Sequence, residues 1–177
     1  GMHNLPGYPL HQVVVRDGPF AWASVGLTLN LVGATAHAAH PEDARTPTAA
    51  VARLLADLPR LPQHLVLTDA LATVIHARIG EEAFGTTPGE ATVSTTLRAA
   101  TDAGLDALRQ GAVHLAEQAA ASWNLDLTLR WVEPFPATLN DPSCVQSLRE
   151  VAMAEGLDLL DLPQAFRWSE DFGAFTA

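Results

Sequence analysis

The order strand, helix, strand, strand, helix, strand, over roughly residues 22 to 133, predicts an α+β fold in which an antiparallel four-stranded sheet carries both helices on one face. Three patterns lead to it. Leu27, Leu29 and Leu31 alternate with Thr28 and Asn30, a period of two that buries one face of a strand. Two stretches repeat apolar residues at helical spacing: Val51, Leu54, Leu55 and Leu58, then Leu105, Leu108, Ala112, Leu115, Ala116, Ala119 and Trp123. Leu125, Leu127, Leu129 and Trp131 then alternate with Asp126, Thr128 and Arg130, which returns the chain to a strand.

Taken in order, Val13-Val14-Val15 is a short strand stopped by Asp17-Gly18-Pro19. The strand over 25–32 runs into a loop holding Gly33, His37, His40 and Pro41. Thr46-Pro47 reads as an N-cap with proline at the first helical position, and Pro59 and Pro62 read as the end of that helix. Residues 72–79 and 91–98 are two strands joined as a hairpin across the turn-rich 80–89. Thr101 or Asp102 caps the long second helix. This is the ferredoxin-like β-α-β-β-α-β arrangement. A break is expected at Glu133-Pro134-Phe135-Pro136. Asp141 then caps, and Pro142 opens, a third helix with Val145, Leu148 and Ala152 on one face and a stop at Gly156. The flanks, 1–21 and 134–177, show no evident core of their own.

Composition narrows the function classes. With 48% hydrophobic and 17% charged residues in a chain of 177, the sequence is globular. Its net charge is −10 and every basic residue is an arginine, which argues against nucleic acid as a partner. Without lysine there is neither a Schiff-base nor a phosphate-loop amine. No apolar run approaches the ~18 residues of a membrane span, and no secretory signal pattern is present. The single Cys144 cannot form an internal disulfide, so a reducing cytoplasm is the expected location.

The candidate chemical residues read weakly one by one. His37 and His40 form an HxxH loop, which a solvated pair explains better than two imidazoles on one ion. His3 sits before a proline turn close to the terminus, where a histidine is usually inert. Arg98 ends a strand and could clamp a carboxylate bidentately, or make an ordinary surface ion pair. Glu170-Asp171 offers acid/base or ligand carboxylates, or merely a solvated turn.

Their order along the chain says more. The segments His3-Asn4-Leu5-Pro6-Gly7, Gly33 to Pro41, Ala83-Phe84-Gly85-Thr86-Thr87-Pro88-Gly89, Thr96-Leu97-Arg98, Phe135 to Asp141 and Ser169-Glu170-Asp171-Phe172-Gly173 occur in family order and spacing. In them the chain resembles the metal-dependent amidohydrolases that cleave N-acyl amino acids, hippurate and auxin conjugates. That resemblance implies a lid domain at 22–133 inserted into a catalytic domain, with 1–21 and 134–177 as remnants of the latter. It also implies divalent metal (two Zn, Mn, Ni or Co ions in the complete enzyme, with none required in this portion) and a small N-acyl amino acid or peptide-like substrate. It further implies a homodimer through the lid.

By the same resemblance His3 is a metal-binding histidine, and His37 reaches the partner subunit's site to polarise the scissile carbonyl. Arg98 holds the substrate carboxylate, His40 is a further substrate-binding residue, and Glu170 borders the site. Relatives often carry Asn-Val-Ile-Pro where this chain has Gly85-Thr86-Thr87-Pro88. The family's Cys-Gly-His-Asp motif, paired glutamates and C-terminal histidine have no counterpart among these residues. The expectation is therefore an amidohydrolase portion, truncated at both ends, that does not catalyse alone. The alternative is a non-catalytic module for dimerisation or small-ligand binding.

Overall fold

The computed structural model describes residues 3–175. Its strands and helices are β1 (Gln12–Val15), β2 (Gly18–Ala21), β3 (Ala23–Val32), α1 (Thr48–Asp57), α2 (Leu61–His64), β4 (Ala70–Ile79), β5 (Glu90–Ala99), α3 (Asp102–Ser122), β6 (Asp126–Phe135), β7 (Thr138–Asn140), α4 (Pro142–Ala154) and β8 (Asp158–Asp161). Strands β4, β5, β3 and β6 lie in that spatial order, and every pairing among them is antiparallel. That is the ferredoxin-like sheet expected from the sequence.

Alternation decides the two faces. Leu27, Leu29 and Leu31 of β3, and Val93 and Leu97 of β5, are completely buried against Val51 and Leu54 of α1 and Leu108, Ala112, Ala116 and Ala119 of α3. The alanines of α3 let the long helix approach the sheet closely, which is why its inward stripe holds so few large residues. The opposite face bears Ser24, Gly26, Thr28 and Asn30 of β3, opposed to Arg98, Thr96, Ser94 and Thr92 of β5. No helix covers it.

Several local details differ from the sequence reading. Helix α1 starts at Thr48 with Pro47 in the cap position, and the Thr46 hydroxyl bonds the Thr48 hydroxyl (3.0 Å) rather than a backbone amide. Pro59 and Pro62 do not end the helical path. Each opens a further turn, the 3₁₀ turn at Leu58–Arg60 and then α2, because proline needs no hydrogen-bond partner at the start of a helix. Strand β6 runs through Glu133 to Phe135, with Glu133 in the left-handed region (φ 49°) and a register shift opposite Ser24 and Gly26. Leu148 faces outward and is 45% exposed.

The flanks pair with each other. Strand β1 runs parallel to β8, β2 antiparallel to β7, and α4 buries Val145 and Ala152 beside them. Arg149 of α4 ties this unit together by bonding Asp17 (3.1 Å) and Asp161. Thr101 caps α3 by accepting from the Gly104 amide (3.1 Å), while the Asp102 carboxylate accepts from the Ala137 amide (2.9 Å) and so anchors the returning flank to the sheet domain. No helix among the described residues is long and apolar enough to cross a membrane.

The loop after β3 is zipped to the segment before β5. Gly33 donates to Gly89 O (2.7 Å), Thr87 to Ala36 O (2.9 Å) and Ala38 to Gly85 O (3.0 Å). The Thr87 hydroxyl also accepts from the Ala36 amide (2.9 Å). Ala34 and Arg45 exchange two further backbone bonds of 3.0 Å. That exchange demands glycine at 33, since a Cβ there would stand 1.8 Å from Arg45 O.

Two expectations follow from these contacts. The Thr87→Val change removes the hydroxyl under Ala36 and costs about 1–2 kcal/mol, as for a part-buried hydrogen bond. Amide exchange at Ala36 and Ala38 should accelerate in the valine variant and stay slow in Thr87→Ser, and unchanged exchange in both would contradict the zipper.

The second concerns Asp141, whose carboxyl is held below the ordinary aspartate value by the Ser143 hydroxyl and then by the Cys144 and Ser143 amides. A carboxyl that ionises more easily when folded stabilises fully above the ordinary aspartate range and stops doing so as pH falls through its folded value. Asp141→Asn, which keeps a cap, should leave the neutral-pH Tm nearly unchanged and flatten its acid decline. An identical decline in both proteins would dismiss the cap.

Candidate active site

His3, Arg98 and Glu170 come together where the flanks meet the sheet. Trp22 links β2 to β3, and its amide donates to Phe166 O (3.0 Å) and Trp168 O (3.2 Å); the Phe166 amide donates back to Phe20 O (2.8 Å). The tail is thus laid along the entrance to the sheet domain. Phe166 and Trp168 stack at 4.7 Å, Phe20 packs edge-on to both, and Tyr8 packs edge-on to Phe166 (6.3 Å). These aromatic contacts join the two flanks and fix the tail's direction.

On that support the His3 ring lies 5.8 Å from Trp168, and its Nε2 is 3.5 Å from Glu170 Oε2. The His3 side chain is half exposed, while that of Glu170 is 13% exposed. Arg98 reaches over from β5 and donates to Ser169 Oγ (3.0 Å) and Arg167 O (3.3 Å). An imidazole, a carboxylate and a guanidinium therefore share one corner. Such a corner offers an anion clamp beside a nitrogen donor and a proton-accepting oxygen.

His37 and His40 stand elsewhere. Arg98 is paired with Ser24 near the start of β3, whereas His37 follows the end of that strand at Val32. Eight residues of strand separate those ends by about 26 Å. The sequence candidates thus fall into two groups at opposite ends of the sheet.

At the far end, the two rings lie 6.2 Å apart. His37 Nδ1 accepts from the Ala39 amide (3.1 Å), so the neutral ring carries its proton on Nε2. That nitrogen is a donor suited to a carbonyl oxygen. His40 Nδ1 lies 3.6 Å from Glu42 Oε1, with both side chains exposed, a pair that contributes little to stability. Trp168 was not singled out in the sequence, and Ser169 only as the first residue of the Ser169–Gly173 segment. Their only signal is adjacency to Glu170, and what they do depends on long-range pairing. Thr87, which braces the His37 loop, is likewise silent in sequence.

The donor set bears on metal. Among the described residues no group of three or more His, Cys, Asp or Glu side chains gathers to hold an ion. His3 and Glu170 would give one nitrogen and one oxygen, short of the three or four protein ligands of a zinc site. The described residues do not by themselves fit a metal centre.

No family model matches the sequence. Among curated relatives, an uncharacterized hydrolase of Staphylococcus haemolyticus is 24% identical over 177 residues, which cover 99% of this chain and 46% of the relative. One from Staphylococcus saprophyticus is 22% identical with the same coverage. In structure, the aminobenzoyl-glutamate utilization protein of Klebsiella pneumoniae superposes with a TM-score of 0.79 at 26% identity, over 95% of this chain and 43% of that one. A dinuclear metal-binding peptidase of the M20 family from Bacillus subtilis gives 0.77 at 20% identity, over 99% and 44%. The chain thus shares the fold of part of these two proteins, one of them a dinuclear metal-binding peptidase of the M20 family, and it is related in sequence to bacterial hydrolases of which it spans 46%.

Proposed function

We propose that this chain carries the substrate-clamping and subunit-pairing parts of a metal-dependent amidohydrolase acting on N-acyl amino acids or peptide-like conjugates, and that it does not turn over by itself. The observation that carries the reading is the meeting of Arg98 with His3 and Glu170 at one end of the sheet, while His37 is held at the other. Arg98 presents a planar donor fork for the substrate carboxylate. His3 is one ligand of a metal centre otherwise built from residues outside this chain, and Glu170 borders that centre. His37, beyond the far end of that strand, serves a second subunit's site by donating from Nε2 to the scissile carbonyl, with His40 beside it.

In this reading residues 22–133 are the lid and the flanks belong to the catalytic domain. Two observations support that division. The flanks form only two-stranded sheets, too small to be stable independently. Helix α4 also leaves Leu148 and Val151, one turn apart, 45% and 58% exposed, a face that a larger domain would cover. The alternative reading, a non-catalytic dimerisation or ligand-binding module, is favoured by the two-donor metal set alone.

Pairing has its own support. Strand β4 bonds to β5 only, so its outer edge is free, and Ile75 on it is 65% exposed. The outer face of the neighbouring α1 presents Ala49, Ala52, Leu55, Ala56 and Pro59, with Arg53 at its border paired to Asp57 and Arg60 at its end. A free edge beside a largely apolar helix face is self-complementary about a two-fold axis.

Two measurements test this. Calorimetric titration with N-acetyl-L-alanine should show binding that Arg98→Gln weakens about tenfold, the loss of one charge-assisted contact. The same chain supplied with Zn, Mn, Ni or Co should show no amide hydrolysis above buffer. Arg98-independent binding would remove the clamp, and robust metal-dependent turnover would remove the claim of incompleteness. For pairing, sedimentation should give a dimer at high micromolar concentration, and the Leu55→Glu, Ile75→Lys double variant a folded monomer. A monomeric parent chain would overturn the pairing surface.

A further inference from the structure

The uncovered face of the sheet holds a groove of about 260 Å³, lined by Arg98 at one end and Arg130 toward the other. Between them lie the hydroxyls of Thr28 and Ser94, bonded to each other at 3.3 Å, and that of Thr96. Ile75 adds an exposed apolar wall. Arg98 is opposed to Ser24 and Arg130 to Thr28, on strands flanking β3. Their Cα atoms are therefore offset by about 13 Å along the strands and about 10 Å across them.

The two arginines differ in how far they are engaged. Arg98 already donates to Ser169 and Arg167. Arg130 makes no hydrogen bond, ion pair or ring contact among the described residues, although Asp126 on the same strand and face is paired with Arg45. An unpartnered guanidinium at the end of a hydroxyl-lined groove is poised for an anion that the chain itself does not supply.

We infer that Arg130 is a second anion anchor, and that the substrate's amino-acid half carries a side-chain carboxylate, as in an N-acyl glutamate, an N-acyl aspartate or a conjugate ending in one. The inference rests on Arg98 as the clamp for the α-carboxylate, proposed above. A ligand held there and extending along the groove brings its side-chain acid toward Arg130, past the Thr and Ser hydroxyls. Glu133 lines the same groove and opposes the incoming acid, so it tempers the preference.

The probes are N-acetyl-L-glutamate and N-acetyl-L-glutamine, matched in size and differing in one charge, titrated into the chain by calorimetry and followed by backbone amide shifts. The glutamate compound should bind about tenfold tighter, the effect of one charge-assisted anchor at an exposed site. At −10 net charge, nonspecific attraction would favour the less negative glutamine compound, so this order is diagnostic. Arg130→Gln should abolish the difference and leave glutamine-compound affinity intact, with shifts at Thr28 and Ser94 lost for the glutamate compound. Arg98→Gln should weaken both ligands alike. Equal affinities in the parent chain, or a preference surviving Arg130→Gln, overturn the second anchor while Arg98-dependent binding keeps the clamp. Binding of neither compound overturns both.

Discussion

Strand β3 gives its hydrogen bonds to β5 on one side and to β6 on the other, and that double pairing fixes where each functional side chain lies. The register is enforced by burial. Leu97 and Ala99, on either side of Arg98, are buried under the helices, so a slip of one residue would put the guanidinium into the core and two apolar side chains into water. Burying a charge without a partner costs far more than the strand could recover. The hydrophobic alternation of β5 thereby decides that Arg98 faces the open groove. The same strand geometry carries the chain from the Arg98 corner to the His37 loop, and the zipper between 33–38 and 85–89 holds that loop in place.

The corner itself depends on a closure of another kind. His3 and Glu170 stand at opposite ends of the sequence, and nothing local brings them near each other. Parallel pairing of β1 with β8, the Arg149 bridge to Asp17 and Asp161, and the stacked rings of Phe166 and Trp168 do so. Such long-range closure carries a loop entropy that only collective burial offsets. The flank unit buries little, as the exposed residues of α4 indicate, which makes it the weakest part of the structure.

This contrast explains what could be read in advance. The sheet domain was legible because each element announces itself locally: alternation in β3, β5 and β6, a helical stripe in α3, and Thr101 at its cap. Where the reading slipped, the deciding physics was positional. Pro59 and Pro62 look like stops, yet each is the second residue of a new turn, where its missing N–H costs nothing, and the chain simply starts new ones. Glu133-Pro134 looks like a break, yet a single left-handed residue and a register shift let the strand continue. Of the site, the residue types were visible but not their grouping. No periodicity links His3 to Glu170, or assigns Ser169 to Arg98. The resemblance to amidohydrolases supplied the candidates, and the fold sorted them into two ends.

Charge raises the remaining question, since a chain of net −10 is an unlikely place to hold an anion. Screening resolves it. At physiological ionic strength the Debye length is about 8 Å, so most surface carboxylates are too distant to oppose a ligand in the groove. What the ligand senses is local: Arg98 and Arg130 in favour, Glu133 and the partly buried Glu170 against. Glu170 is offset by His3 at 3.5 Å whenever that ring is protonated or bound to a cation. In the proposed reading the net charge therefore slows the approach of anions without setting their affinity, and Arg98 and the unpartnered Arg130 decide which anion is retained.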